Sequence, residues 1–157
     1  MYSANRWEKN KEILERLNSG VTIISDRYSY SGVAFSIAKG MSTGWCKAPE
    51  KGLPRPDLLL FLDLSPDAAA ARPGFGDERY EVTAFQKQVK SSYEELRRED
   101  EAIHQFKWTM VDAGRTIEEV LEDLVRLSLS VIEDVKDKPI APLWQENSND
   151  YSSRTEI

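Results

Sequence analysis

The sequence contains a single cysteine and a single histidine among its 157 residues. Cys46 has no partner for an intramolecular disulfide and no nearby histidine with which to form a metal site. His104 has no second ligand at the spacing that metal sites use, so we interpret both residues as structural. A chain without disulfides suits a reducing compartment. These absences predict a cytoplasmic protein and leave nuclear and mitochondrial locations open.

Long apolar runs and an excess of positive charge are also absent. No apolar run approaches the roughly 20 residues that a membrane span needs. The residues after Met1 do not form the apolar core of a secretory signal. The formal net charge of −6 provides no basic surface for a nucleic acid backbone. We therefore expect neither a membrane nor a nucleic acid polymer as partner, whereas small phosphate compounds held by a few arginines fit this composition.

What is present is an ordinary globular composition with alternating structural patterns. The chain is 40% hydrophobic and 31% charged, which is typical of one soluble domain with one core. Apolar residues at helical spacing, with Ser3 as a cap and Gly20 beyond the end, predict a helix to about Asn18. The uncharged, β-branched segment Val21 to Ser25 predicts a short buried strand that ends before Asp26.

The middle of the chain repeats this alternation. Ser31 to Lys39 predicts a helix that stops at Gly40, whereas Met41 to Arg55 predicts mostly loop because glycine and proline interrupt it. Asp57 to Leu64 contains consecutive apolar residues and predicts a strand covered on both faces. Ser65, which is followed by proline, predicts the cap of the next helix.

The second half of the chain completes the pattern. Pro73 to Gly76 predicts a mobile flap, after which a long helix restarts near Asp77. Trp108 to Val111 predicts a third short strand, and Thr116 to Glu119 predicts a capping box that opens the last helix. Strands separated by helical segments predict an α/β fold, a parallel sheet flanked by helices on both faces. We place this domain at residues 1–144 and a polar, disordered tail at residues 145–157.

Two polar residues, Asp26 and Arg27, follow the first predicted strand. Ligands of open parallel sheets bind beyond the carboxyl ends of the strands. A carboxylate there can hold hydrated Mg²⁺, and a guanidinium can clamp a phosphate. The same pair would also serve as an ordinary surface ion pair, and spacing alone favours that interpretation.

A set of short segments in fixed order resembles thymidylate kinase in its eukaryotic-like form. The match extends from about Tyr2 to Trp144. The segments are Y-S-A-N-R-W-E from Tyr2, D-R-Y from Asp26, S-G-V-A-F from Ser31, G-L-P-R-P-D from Gly52, F-G-D-E-R-Y-E from Phe75 and V-D-A from Val111. The resemblance implies a P-loop kinase fold and transfer of the γ-phosphate of ATP to dTMP, giving dTDP for dTTP biosynthesis.

The resemblance also implies a base pocket and a phosphate clamp. Tyr2 takes the place of an aromatic residue, usually phenylalanine, that stacks on thymine. Arg6 resembles the residue that reads a carbonyl edge of the base, and Phe35 resembles a second wall of that pocket. Arg27 resembles the clamp on the phosphate of dTMP, and Asp26 resembles the carboxylate that supports Mg²⁺. Without the family, Tyr2 fits a core aromatic residue equally well, and Phe35 fits a core aromatic residue better than a pocket wall.

Further sugar-facing and donor-facing residues follow from the same resemblance. Tyr80 and Gln86 take positions that face the deoxyribose and the base, and Tyr80 would exclude a 2′-hydroxyl sterically. For Gln86, a helix face packed on the core is an equal alternative. Arg72 and Arg79 flank the segment that resembles the lid over the phosphates of ATP, and Arg72 joins Asp26 as a catalytic candidate.

The loop from Asp112 to Arg115 resembles the segment that lies against the adenine of ATP. Arginine residues on loops are more often simply solvated, so this position has an ordinary alternative as well.

The resemblance also shows what these residues lack. P-loop kinases hold the donor phosphates in a loop of pattern G-x-x-x-x-G-K-[ST], yet none of the eight glycines here is followed by lysine. In the family this loop, a strand and a catalytic arginine precede the position of Tyr2, so we interpret the domain as truncated at its N-terminus. Arg72 and Arg79 would compensate only in part. Because the missing strand would separate two strands of the sheet, we expect this chain alone to be unstable or to aggregate.

Three functional interpretations stay open at this point. The first is a dTMP kinase that uses ATP and Mg²⁺ and forms the homodimer common in the family. The second is a catalytically inactive nucleotide-binding or dimerisation module, in which the absence of the phosphate-binding loop means that there is no catalysis. The third is a kinase of the same fold with another nucleotide acceptor.

Overall fold

Two short strands pair in parallel and form the sheet. The computed structural model describes residues 2–65, 68–69, 83–104 and 106–145. In this part of the chain, strand β1 covers Leu60–Asp63 and strand β2 covers Thr109–Asp112. Leu60 lies opposite Thr109 and Asp63 opposite Asp112, so the carboxyl ends of both strands meet at one edge. A parallel pair joined by a helical crossover confirms the predicted α/β class.

Helices account for most of the remaining described residues. They are α1 (Tyr2–Asn18), α2 (Ser29–Ala38), α3 (Thr43–Lys47), α4 (Thr83–Glu99) and α5 (Ile117–Val135). A 3-10 turn at Ala48–Glu50 follows α3, and a π-helical turn at Asp100–His104 follows α4. None of the helices in the described ranges is long and apolar enough to cross a membrane.

Some of the predicted helix starts and ends agree with the structure, and others do not. Helix α1 ends at Asn18 as predicted, but Ser3 is not its cap: the helix begins at Tyr2, and the Ser3 hydroxyl donates to the carbonyl of Pro49 at 2.9 Å. The Ser65 cap is confirmed, since its hydroxyl accepts from the Ala68 N–H at 3.2 Å. Met41 to Arg55 is not mostly loop as predicted, because α3 and the 3-10 turn form within it.

The strand predicted at Val21 to Ser25 is absent. This segment has no regular structure, and Ile24 is 90% exposed. A β-strand exists only through hydrogen bonds to a neighbouring strand, and no strand in the described part of the chain pairs with this segment. The prediction that β1 is covered on both faces is also wrong, because Leu62 is 52% exposed.

The core lies beside α2 and α4, where aromatic side chains pack edge to face. The ring of Tyr30 lies 5.0 Å from the ring of Trp108 and 4.9 Å from that of Trp144. Buried Asp100 accepts the indole N–H of Trp108 at 2.8 Å and of Trp144 at 3.2 Å. This cluster anchors α2, whose first turns carry much of the candidate site.

The end of the described chain packs back on the segment that precedes β1. The Leu143 N–H donates to the Leu53 carbonyl at 2.7 Å, and the Gly52 N–H donates to the Leu143 carbonyl at 3.0 Å. Residues up to Trp144 therefore contribute to the core. The predicted flap at Pro73 to Gly76, the helix start near Asp77 and residues 146–157 of the predicted tail lie outside the described residues.

Candidate functional site

Arg6 is held in a fixed orientation by Glu50. Its Nε donates to Oε2 of Glu50 at 2.8 Å, and its Nη2 donates to Oε1 of the same carboxylate. The two side chains are 16% and 4% exposed, so the pair is largely removed from water. A carboxylate that engages two N–H groups of one guanidinium fixes its plane as well as its position. Arg6 is therefore preorganised before any ligand arrives.

The turn that carries Glu50 is itself bound to α1. The Trp7 indole N–H donates to the Pro49 carbonyl at 2.7 Å, and the Ser3 hydroxyl donates to the same oxygen. Ser3, Arg6 and Trp7 lie at positions i, i+3 and i+4, which share one face of a helix. This face of α1 places Arg6 against the turn.

Glu50 also reaches the beginning of α2. The Ser29 hydroxyl donates to Oε2 of Glu50 at 2.8 Å, and Ser29 is fully buried. Ser29 follows Arg27 by two residues, so one carboxylate connects Arg6 on α1 to the segment that carries Arg27. Tyr28 lies between them, with the Arg6 guanidinium 5.9 Å from its ring centroid. Burial raises the pKa of the Tyr28 hydroxyl, which the nearby Arg6 charge partly opposes, so this hydroxyl stays neutral.

Arg27 has a backbone conformation that few residue types adopt. Its φ is +64°, in the left-handed region. The bend turns the guanidinium back over α2, 5.8 Å from the ring centroid of Phe35. The Phe35 ring in turn lies 6.0 Å from that of Phe85 on α4. Arg27 therefore projects along α2 over an aromatic wall.

The two predicted ligand-binding arginines lie beside the same helix. Arg6 approaches Gly32 so closely that a Cβ added there would stand 3.1 Å from Nη2, whereas Arg27 covers Phe35. Gly32 and Phe35 are three residues apart on α2 and share one face of that helix. The structure thus places Arg6, Arg27 and Phe35 beside the same helix.

Tyr2 and Gln86 extend this region on two other helices. Tyr2 is 76% exposed at the beginning of α1, four residues before Arg6, so its ring is accessible to a ligand. Gln86 is partly buried on α4, next to Phe85. Neither side chain is part of the core cluster around Tyr30.

Asp26 stands at an exposed bend directly before Arg27. The expectation that it follows a strand is wrong, because residues 21–25 do not form one. Its carboxylate forms no ion pair with any described residue, so its oxygens are accessible. Among the residues that the structure describes, no cluster of three acidic, histidine or cysteine side chains could hold a metal ion.

Asp112 and Arg115 lie at the carboxyl edge of the sheet. The side chain of Asp112, the last residue of β2, accepts from the Gly114 N–H at 2.8 Å and shapes the turn. Arg115 is engaged by Asp123 of α5 at 2.7 Å, a contact that raises the pKa of the guanidinium. Arg115 is therefore directed toward α5. The remaining predicted site residues, Arg72, Arg79 and Tyr80, lie outside the described residues.

Sequence reasoning missed Glu50 and Ser29. Glu50 is separated from Arg6 by 44 positions in the chain, and it lies in a segment interpreted as loop. A buried acidic residue leaves no periodic signal in a single sequence. The one available hint was that a lone guanidinium expected in a partly buried pocket needs a carboxylate partner.

A separate cleft of about 450 Å³ lies between α1 and the segment 21–24. Its lining includes Ile13, Arg16 and Ile23, and it contains none of the predicted site residues. This cleft is therefore separate from the predicted site.

Comparison with known proteins gives consistent results. A family model described as thymidylate kinase matches residues 1–124. Thymidylate kinases of Danio rerio and Homo sapiens are 45% and 46% identical to this chain over 146 residues, which is 92% of this chain and 67% of each relative. The Arabidopsis thaliana thymidylate kinase is 46% identical over 145 residues, covering 52% of its own length. The chain thus spans between one half and two thirds of these relatives.

A solved structure shows the same similarity in three dimensions. The chain aligns with thymidylate kinase from Candida albicans with a TM-score of 0.70 and 37% sequence identity. The alignment covers 83% of this chain and 65% of the Candida protein. The Candida structure reveals an origin of broad substrate specificity and a novel structural element in that enzyme.

Proposed function

The chain belongs to the thymidylate kinase family, and we propose that it supplies the acceptor-binding part of a dTMP kinase. The reaction transfers the γ-phosphate of ATP to dTMP and gives dTDP and ADP. The observation that carries this proposal is the arrangement of Arg6 and Arg27 along one face of α2, within a chain about 45% identical to named thymidylate kinases.

Different residues of the acceptor site contact the base, the sugar and the phosphate of dTMP. Arg6 donates to a carbonyl of thymine, and Tyr2 stacks on the ring. Phe35 forms a wall of the pocket, and Arg27, which lies over that wall, binds the phosphate with charge-assisted hydrogen bonds. Gln86 contacts the base, and Tyr80 excludes a 2′-hydroxyl. Preorganised donors of this kind reduce the entropy lost on binding.

Donor phosphates and magnesium involve a second group of residues. Asp26 fits one ligand position of Mg²⁺, an ion that keeps several waters and takes one or two carboxylates together with substrate phosphates. When bound, Mg²⁺ neutralises phosphate charge. Arg72 and Arg79 contact the donor phosphates, and Asp112 and Arg115 lie toward adenine. Arg115 must turn away from Asp123 to do so.

Binding and turnover test this proposal separately. We expect calorimetry on the 157-residue chain to show saturable dTMP binding. We expect an ADP-release assay with ATP and dTMP to show no turnover above background, because these residues contain no glycine-lysine loop for the donor phosphates. Absence of dTMP binding would contradict the proposal. Turnover by this chain alone would exclude an inactive binding module and require another donor-phosphate site.

A wider acceptor range is the second candidate. It is favoured by the Candida relative, whose structure reveals an origin of broad substrate specificity. Parallel titrations with dTMP, dCMP, UMP and thymidine distinguish the candidates. Preference for thymidine over dTMP would replace the proposed acceptor. We further propose that the protein forms a homodimer in the cytoplasm, which sedimentation and localisation measurements would test.

A further inference from the structure

Arg6 has unused hydrogen-bonding capacity next to its buried partner. A guanidinium carries five N–H groups, and Glu50 takes one from Nε and one from Nη2. Among the described residues, no acceptor engages Nη1. The Arg6 side chain keeps 16% of its surface exposed, so this edge of the guanidinium is accessible to an oxygen supplied by a ligand.

The two oxygens of Glu50 connect three parts of the structure. One oxygen binds Nη2 of Arg6, and the other binds both Nε of Arg6 and the hydroxyl of Ser29. The carboxylate is 4% exposed, and Glu50 sits on a turn that α1 also holds through the Pro49 carbonyl. Its geometry therefore depends on α1 and α2 together.

We propose that Glu50 is a positioning residue that sets the base selectivity of the acceptor site through Arg6. This inference rests on the proposed function, because it takes the ligand of Arg6 to be a pyrimidine carbonyl. Fixed by two bonds, the guanidinium holds its remaining N–H groups, on Nη1 and Nη2, at fixed positions within one plane. An acceptor oxygen satisfies them, whereas an exocyclic amino group at the same place is a second donor and leaves them unpaired.

Glutamine tests this role at nearly constant volume. In Glu50→Gln one oxygen can still accept from Arg6, but the amide NH₂ confronts a second N–H donor. We expect the guanidinium to lose its fixed plane. Glu50→Asp keeps the charge with a shorter reach and should restore part of the effect. Glu12→Gln is the matched control, because Glu12 also binds an arginine of α1, Arg16, but at an exposed position.

The readout that separates positioning from general damage is a ratio of affinities. The nucleotides dUMP and dCMP differ at position 4, where a carbonyl is replaced by an amino group, and at N3, which carries a proton only in dUMP. We expect wild-type protein and Glu12→Gln to prefer dUMP by at least about tenfold, and Glu50→Gln to reduce this ratio to roughly threefold or less. If Glu50 had only a structural role, its replacement would lower the affinities for dUMP and dCMP equally and leave their ratio unchanged. Urea unfolding shows whether each variant is folded. If Glu50→Gln does not fold, the ratio of affinities is measured with Glu50→Asp instead.

A spectroscopic measurement checks the positioning directly. The ¹⁵Nε–¹Hε correlation of Arg6 should be sharp in the wild type and broadened by solvent exchange in Glu50→Gln. If dTMP does not bind the wild type, the proposed function fails and this inference fails with it. If the wild type binds dTMP and selects dUMP over dCMP, yet Glu50→Gln keeps the same ratio and the same Arg6 signal, only the positioning role is overturned.

Discussion

At Arg27 the backbone adopts a φ of +64°, which an L-residue reaches at a cost of roughly 1–2 kcal/mol. Glycine would adopt this conformation without strain but would remove the guanidinium. The strained bend is what turns the side chain back over Phe35. Strain of this kind is frequent at ligand sites, where the surrounding structure holds it in place. The side chain, rather than the turn, is therefore the feature that requires arginine at this position.

Replacing Arg27 by alanine should weaken phosphate binding selectively. Charge-assisted hydrogen bonds to a phosphate contribute about 1.5–3 kcal/mol each, so we expect the Kd for dTMP to rise roughly ten- to hundredfold. Thymidine has no phosphate, and its affinity should not change. Calorimetric titration of both ligands measures the difference. An equal loss for both ligands would mean that Arg27 supports the fold rather than the phosphate.

Asp100 illustrates a buried acidic residue with a purely structural role. It is 1% exposed and accepts the indole N–H of both Trp108 and Trp144. Asp100→Ala leaves two buried donors without an acceptor, at about 1–3 kcal/mol each. We expect the free energy of unfolding in urea to fall by about 2–5 kcal/mol. The exposed neighbour Glu101→Ala should change it by less than about 0.5 kcal/mol.

At the level of secondary structure, α5 begins with a complete capping box. The Thr116 hydroxyl accepts from the Glu119 N–H at 3.3 Å, and the Glu119 carboxylate accepts from the Thr116 N–H at 3.0 Å. Thr116→Ala should lower the free energy of unfolding by about 1 kcal/mol. Ser130→Ala, at an exposed position within α5, should not lower it, because alanine favours helix. Equal effects of the two changes would contradict the capping role.

The same box makes the stability of α5 depend on pH. The Thr116 N–H, followed by the Thr116 hydroxyl, lowers the pKa of Glu119 below its ordinary range. The folded pKa is therefore below the unfolded one, and the contribution is present above the unfolded pKa and lost as pH falls through the folded pKa. We expect acid to reduce the difference in stability between wild type and Glu119→Gln, as measured by urea unfolding across an acidic pH series. A difference that stays constant with pH would contradict this.

Elements that could be predicted from the sequence are those with local causes. Apolar spacing gave α1, and the capping box and the Ser65 hydroxyl marked two helix starts correctly. The residues Val21 to Ser25 have strand composition, yet strand formation depends on a partner elsewhere in the chain. Exposure of Leu62 also depends on what packs against β1. Composition indicates the propensity of a segment to form a strand, but the strand forms only where another strand pairs with it.

On the scale of the whole molecule, the sequence proposes residues for the candidate site but not the contacts that hold them in place. Six short segments identified Arg6, Arg27 and Phe35, and the structure brings these side chains to one face of α2. The contact between Arg6 and Glu50 joins residues 44 positions apart. Only the packing of α1 against the turn creates it, so it had no signature in a single sequence. The same holds for the bond between Ser29 and Glu50.

The exposed apolar side chains determine how the 157-residue chain behaves on its own. Ile24 is exposed in a segment with unpaired backbone groups, and Ile117 and Leu129 are exposed on α5. Unpaired β-branched segments template association with other chains, whereas an exposed apolar helix face associates without such pairing. We therefore expect light scattering to show association that rises with protein concentration.

Two substitutions separate these surfaces. Ile24→Lys places a charge within the unpaired segment and should suppress the association strongly, because charges block edge-to-edge pairing of strands. Leu129→Lys on α5 is the matched control and should have the smaller effect, because it leaves the backbone groups of residues 22–25 available. If Leu129→Lys were the more effective change, the helix face rather than the unpaired segment would drive association. A chain that remained monomeric across the concentration series, with a cooperative thermal transition, would contradict both explanations.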